Sequence, residues 1–327
     1  MLRLHSAPDG HLARIRVPGG RLRASQLQAI AKAAQIGSGT IELTSRANLQ
    51  LRGLEADASH ELARVLAAAQ LFPSPAHDRV RNVIASPLCG RQERAHLDTD
   101  ALVSELDRQL CADLTLSALP GRFLFAVDDG SGLALGHGAD IALAACSERS
   151  FQLLIAERPT VATVREVDAP GLAMHAARQF LEERERTQQT GWRIAELADG
   201  PQRIGEEIGA PLAPHPARDA SDPARDASAA LQARGPLAPG TVWQRDGRIA
   251  LTAVVRGGSL HAGEVTQLAQ LSRAHSLEVR ISPWRTMTVC DLSRASVSNI
   301  AEQLEACGLS VDPQAMGAQS AMTRRAA

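Results

Sequence analysis

The sequence predicts an α+β fold in which two β-α-β-β-α half-domains, related by an internal repeat, flank a central mixed α/β domain. Three observations predict it. Shifting the 327-residue chain by 238 positions aligns residues 17–71 with 255–309 without a gap. Each aligned copy alternates apolar and polar residues in short strand-like segments, with apolar stripes at helical spacing between them. The stretch between the copies carries apolar segments and helical patterns of its own, as a separate core requires.

In the first copy, residues 12–17 put Ala13, Ile15 and Val17 on one face and Arg14 and Arg16 on the other, the pattern of a half-buried strand. Gly19-Gly20 predicts a turn. Ser25-x-x-Gln28 has the form of a capping box, and Leu27, Ile30, Ala31 and Ala34 stripe the helix it opens. Ile41/Leu43 and Leu49/Leu51 predict two more strands, and Leu62, Val65, Leu66 and Ala69 a second helix. The second copy repeats the order with Val265/Leu268/Ala269, Leu277/Val279/Ile281, Met287/Val289 and Val297/Ile300/Ala301/Leu304. Gly19-Gly20 falls on Gly257-Gly258, Leu22 on Leu260, Ala31 on Ala269 and Leu66 on Leu304. Two halves of this kind can join about a pseudo-two-fold axis.

The expected organisation is a first half-domain over 1–73, a central domain over 74–200, a flexible linker over 201–240, a second half-domain over 241–312 and a tail over 313–327. In the central domain Phe123–Val127 and Phe151–Ile155 read as strands and Leu102–Leu110 and Ala173–Arg186 as helices. The linker reading rests on Pro, Ala, Asp and Arg enrichment, with A-R-D-A-S occurring twice between Ala217 and Ser228.

A formal net charge of −1 argues against nucleic-acid binding by broad phosphate neutralisation. No apolar run reaches the length of a membrane span and the N-terminus has no signal-peptide core, so a cytoplasmic protein without membrane contact is expected. Cys89, Cys111, Cys146, Cys290 and Cys307 are odd in number and widely spaced, which indicates neither a disulfide scaffold nor a zinc ribbon. The histidines show no metal-ligand spacing, and no metal site is assigned.

The polar strand faces are where chemistry is expected. Arg14 and Arg16 share one, as do Asn48, Gln50 and Arg52, and arginine on a rigid strand suits carboxylate recognition. The same alternation also describes a plain solvated sheet face. The second copy offers Thr252, Arg256, Thr286 and Thr288 instead. Two further segments stand out, Arg79-Val80-Arg81-Asn82-Val83 and the run from Leu119 to Gly130 that includes Arg122.

Taken together, Arg14-Ile-Arg-Val-Pro-Gly-Gly20, Leu43-Thr-Ser-Arg46-Ala-Asn-Leu-Gln-Leu-Arg-Gly53, Arg81-Asn-Val83, Leu119-Pro-Gly-Arg-Phe123 and Ile281-Ser-Pro-Trp-Arg285 resemble the nitrite/sulfite reductase superfamily and, within it, the precorrin-3B synthases. The resemblance covers about residues 10–312. It implies ferredoxin-like half-domains, a nitrite/sulfite-reductase-type central domain, and a tetrapyrrole as substrate or ligand. The implied substrate-binding residues are Arg14, Arg16, Arg46, Asn48, Gln50, Arg81, Asn82 and Arg122, with no catalytic residue assigned. Arg122 stands where the reductases carry the first lysine of an active-site pair and Leu124 where they carry the second, which favours the synthase. Synthases of this kind oxidise precorrin-3A with dioxygen in aerobic cobalamin biosynthesis, hydroxylating the macrocycle and closing a γ-lactone with the help of a [4Fe–4S] cluster. The alternatives are a non-catalytic tetrapyrrole-binding relative and a sirohaem reductase fragment. The resemblance expects the cluster ligands, C-x5-C and then C-x3-C, after the second half-domain, and no such spacing follows Leu309. The expectation is therefore a chain whose cluster, if it uses one, is supplied by a partner chain, or a truncated or degenerate relative.

Overall fold

The computed structural model describes residues 3–214 and 231–316. The chain divides into two compact units, residues 1–78 with 236–327, and 79–235.

The first unit holds both copies of the repeat. One sheet has the order β1 (His5–Ala7), β2 (Gly10–Ile15), β5 (Leu49–Leu54), β4 (Thr40–Leu43), β13 (Ser259–His261). The other runs β11 (Gly240–Trp243), β12 (Ile249–Val255), β15 (Thr286–Leu292), β14 (Val279–Ile281), β3 (Arg21–Leu22), and β16 (Leu309–Ser310) also pairs with β12. The two copies exchange a strand: β3 joins the sheet of the second copy and β13 that of the first. Leu22 lies opposite Val279, and Leu260 opposite Ile41. The Arg21 guanidinium holds Glu278 at 2.6 and 2.7 Å across the first exchange.

Helices α1 (Ala24–Ala34) and α2 (Ser59–Ala68) back the first sheet and recur as α6 (Ala262–Ala274) and α7 (Val297–Ala306). Their apolar stripes merge into one core containing Ile15, Leu27, Ile30, Leu51, Leu66, Leu251, Leu268, Ile281, Ile300 and Leu304. The repeat holds at the level of single dihedral angles: Gly19 has φ 69° and Gly257 φ 67°. A left-handed residue turns the chain out of each first strand, and glycine adopts it without strain. The helix start differs from expectation. Helix α1 begins at Ala24, and Gln26 Oε1 accepts the Arg23 N–H at 3.1 Å, so the cap sits two residues before Ser25. Glu264 does the same for the His261 N–H in the second copy.

The second unit is a five-stranded sheet in the order β10 (Arg158–Arg165), β9 (Ser150–Ile155), β8 (Ile141–Ala145), β7 (Phe125–Asp128), β6 (Val83–Ala85). Strands β6, β7 and β8 are parallel, and β9 and β10 return antiparallel. Helices α3 (Asp100–Ala112) and α4 (Ala169–Thr187) share one core with the sheet, built around Phe123, Phe125, Phe151 and Phe180. A smaller cluster with Ile84, Leu124, Ala126 and Leu135 forms apart from it.

The linker reading is corrected at its start. Residues Gly200–Glu207 form helix α5, Ile204 is buried in the core of the second unit, and Leu212 bridges Thr160. Proline at the first turn and glycine after the last are helix boundaries as well as linker signals, which is why composition misled. The A-R-D-A-S repeats lie outside the described residues, as does the end of the tail.

Candidate functional site

The face of the first sheet turned away from the helices carries the polar residues of β2, β5 and β4. Strand alternation puts Arg14, Gln50 and Glu42 there. The register sets Arg14 opposite Gln50, Gln50 opposite Glu42, and Glu42 opposite Ser259, one row across four strands. Gln50 Nε2 donates to Glu42 Oε2. Arg52 grips Asp9 with two nitrogens at 2.9 and 2.7 Å and lies 3.5 Å from Glu42. Its guanidinium lowers the Asp9 pKa, and Asp9 raises that of Arg52. Arg14, at the end of the row, is exposed and has no side-chain partner among the described residues. Arg16 follows on the same strand face and is 8 % exposed.

The turn between β4 and β5 brings in Arg46 and Asn48. Thr44 N–H donates to the Asn48 carbonyl at 2.9 Å, and Ala47 closes the turn with φ 52°. Arg46 sits half-buried on this turn. Asn48 is buried, and its Oδ1 accepts the Val17 N–H at 2.8 Å. Asn48 therefore fixes the end of β2 and so the place of Arg14 and Arg16.

The second copy closes the same face. Thr252 and Thr288, the counterparts of Arg14 and Gln50, are buried with hydroxyls 3.1 Å apart. Thr286 is buried too, bonded to Ser282 at 2.7 Å, and Arg256 stands exposed near Glu305. Arg280, the counterpart of Glu42, is 2 % exposed. Alternation in Val279-Arg280-Ile281 was the signal that could have found it.

In the second unit the expected ligands divide. Arg81 holds Asp107 of α3 at 2.8 and 2.7 Å and is nearly buried. Asn82 is fully buried, and its Nδ2 donates to the carbonyls of Gly121 and Phe123 at 3.1 Å and of Arg79 at 3.3 Å. Both residues brace the fold through these contacts. Asn82 ties two arginine-bearing segments together, while Arg79 and Arg122 are exposed and Arg122 has no side-chain partner among the described residues. Leu124 is 1 % exposed within the small apolar cluster.

A model described as the nitrite/sulfite reductase ferredoxin-like half domain matches the chain twice, over residues 5–69 and 243–307. The two matches are displaced by 238 residues, the offset of the internal repeat. Both segments match that half-domain model, and each folds as a ferredoxin-like half-domain. The ferredoxin–nitrite reductase of Synechococcus elongatus is 34% identical over 130 residues, 38% of this chain and 25% of that protein. The precorrin-3B synthase of a Sinorhizobium species is 33% identical over 141 residues, 42% of this chain and 30% of that protein. These matches thus span less than a third of either relative's length. The structure of Mycobacterium tuberculosis NirA shares the fold, with a TM-score of 0.71 at 18% identity over 93% of this chain and 57% of that one.

The resemblance drawn from the sequence leads one to expect an iron–sulfur cluster, so the fit of the cysteines to one matters. Cys89, Cys111 and Cys146 lie in the second unit, and Cys290 and Cys307 in the half-domains. Among the described residues, the one group of three or more His, Cys, Asp or Glu side chains within reach of a common ion is Cys89, Asp98 and Asp100. Burial raises the thiol pKa of Cys111 and pushes that of Cys307 up to about 11, which disfavours the thiolate a cluster needs. The residues of this chain do not fit a four-thiolate cluster. The exposed guanidinium of Arg14 has the geometry to pair with a carboxylate. No helix among the described residues is long and apolar enough to cross a membrane.

Proposed function

We propose that the first half-domain binds a tetrapyrrole through its side-chain carboxylates, and that the chain is a precorrin-3B synthase-like oxidoreductase whose substrate is precorrin-3A. The carrying observation is the asymmetry of the two sheet faces. Arg14 lies exposed and without a partner among the described residues in one half-domain, while the corresponding threonine is buried in the other. The strand fixes the Arg14 backbone, and its planar guanidinium can meet a carboxylate with two charge-assisted hydrogen bonds. Arg16 and Arg46 add positive charge on the same strand and on the adjoining turn.

Leu124 supports the synthase over the reductase reading. Its position, which resembles that of the second reductase lysine, is filled by a core side chain that can hold no proton. The chain's own residues bind and orient the macrocycle. Electron transfer through an iron–sulfur group falls to residues other than these cysteines in this reading, since they do not fit one. The reductase reading retains the support of the 34% identical nitrite reductase.

Binding is tested with uroporphyrin, a polycarboxylate porphyrin, followed by fluorescence quenching. One charge-assisted hydrogen bond contributes about 1.5–3 kcal/mol, so Arg14→Ala should weaken binding roughly ten- to hundred-fold. Unchanged affinity would overturn the site. Oxygen-dependent conversion of precorrin-3A, with the chain supplemented by an iron–sulfur fraction, tests the activity. Nitrite or sulfite reduction in that mixture without precorrin conversion would instead support the reductase.

A further inference from the structure

The helical side of the first half-domain carries a groove of about 600 Å³ between α1 and α2. Arg23, Lys32 and Arg64 line it together with Ala29, Val65 and Ala68, and no acidic residue does. All three cations are exposed, and Lys32 is the only lysine of the chain. Lys32 has no partner among the described residues, Arg23 donates to the neutral Gln70 at 3.1 Å, and Arg64 lies 3.9 Å from Glu61.

The repeat supplies an internal control. At the same offset of 238, the second copy carries His261, Gln270 and Glu302 in place of Arg23, Lys32 and Arg64. The backbone is alike in both: α2 and α7 begin and end at corresponding residues. The half-domain fold therefore does not require the three cations. Lys32 also lies in the last turn of α1, where a cation favours the helix dipole, but α6 has Arg273 for that purpose.

We propose that this groove docks an acidic segment of a partner protein. Arg23 and Lys32 are nine residues apart along one helix, which places them about 13 Å apart along its axis. About four residues of extended chain span that rise. The small side chains between the cations leave room for an apolar residue of that segment, and carboxylates on either side complement the charge.

The test uses the full chain and fluorescein-labelled poly-L-glutamate, followed by anisotropy at low salt. The combined variant Arg23→His, Lys32→Gln, Arg64→Glu transplants residues that the second copy already accommodates, so it should fold. It is expected to bind at least tenfold more weakly. A control with the same charge change on the second unit, Arg149→His, Arg158→Gln, Arg165→Glu, should change binding less than twofold. Equal loss in both, or loss in neither, overturns the proposal. Carbodiimide coupling gives a second readout: the activated glutamate carboxyl forms an amide with the Lys32 Nζ, and the urea leaves. Because Lys32 is the sole lysine, mass spectrometry should find the side-chain crosslink there, and labelling of the N-terminal amine alone counts against the groove. Displacement of the peptide by micromolar pyrophosphate would assign the groove to a compact anion and likewise overturn the peptide as occupant.

Discussion

Asn82 offers the sharpest division between a ligand and a brace. Its Nδ2 has two hydrogens facing three carbonyls, those of Gly121, Phe123 and Arg79 at 3.1, 3.1 and 3.3 Å, in a fully buried position. Its own carbonyl accepts the Phe125 N–H at 2.9 Å, so the residue joins the start of β6 to the start of β7. Asn82→Ala removes two hydrogen bonds worth about 1 kcal/mol each and opens a small cavity worth about another 1–2 kcal/mol. The expected destabilisation is about 2–4 kcal/mol, read from urea unfolding with hydrogen exchange localising the loss to β6 and β7. Asn82→Asp keeps the shape but turns oxygens toward the carbonyls. Its neutral form can donate one hydrogen and its ionised form none, so the folded pKa is raised. Its stability is then present at low pH and lost as pH rises through that folded value. In either variant, folded protein should bind uroporphyrin within about twofold of the parent, because the amide donors face backbone. A destabilisation below about 1 kcal/mol, or tenfold loss of porphyrin affinity in folded protein, would refute the bracing role.

Gly20 and Gly258 form a matched pair, with φ 69° and 83°. A Cβ on Gly20 would sit 2.2 Å from the Ile281 carbonyl oxygen, and one on Gly258 would meet nothing. Gly258→Ala should cost about 1 kcal/mol for the left-handed backbone and Gly20→Ala about 2–4 kcal/mol, because overpacking adds to it; equal melting shifts would refute the close approach. Burial, with Asp129 beside it, pushes Asp128 from 3.8 up to about 6, although three backbone N–H groups donate to it. Folded protein then holds this proton more tightly than the unfolded chain, so its contribution is full below about pH 4 and declines to about pH 6, by up to about 3 kcal/mol. The urea midpoint measured against pH should show that slope, and Asp128→Asn should remove it. Arg81→Ala should destabilise by about 2–3 kcal/mol by stranding Asp107. Removing Asp107 as well should recover part of the loss in a double-mutant cycle.

Alternation and helical spacing are local, and what they specify was legible. The faces of β2, β4 and β5, the stripes of α1, α2, α6 and α7, and the glycine turns all follow from neighbours within a few residues. The roles of Arg81, Asn82 and Asn48 do not, because their partners Asp107, Gly121, Phe123 and Val17 lie 26 to 41 residues away, and side-chain hydrogen bonding carries no sequence period. Glu42 could have been found, since Thr40-Ile41-Glu42-Leu43 alternates onto the face of Gln50.

By itself the sequence determined the duplicated half-domain, its length and its offset of 238, because each copy carries its own strand and helix periodicities. Only the tertiary structure decided that the copies trade β3 for β13, since edge pairing depends on which backbone hydrogen-bonding groups lie side by side. It alone also decided that one polar sheet face stays open at Arg14 while its twin closes over Thr252 and Thr288. The same alternation writes both faces, and burial is a property of what the folded chain brings together.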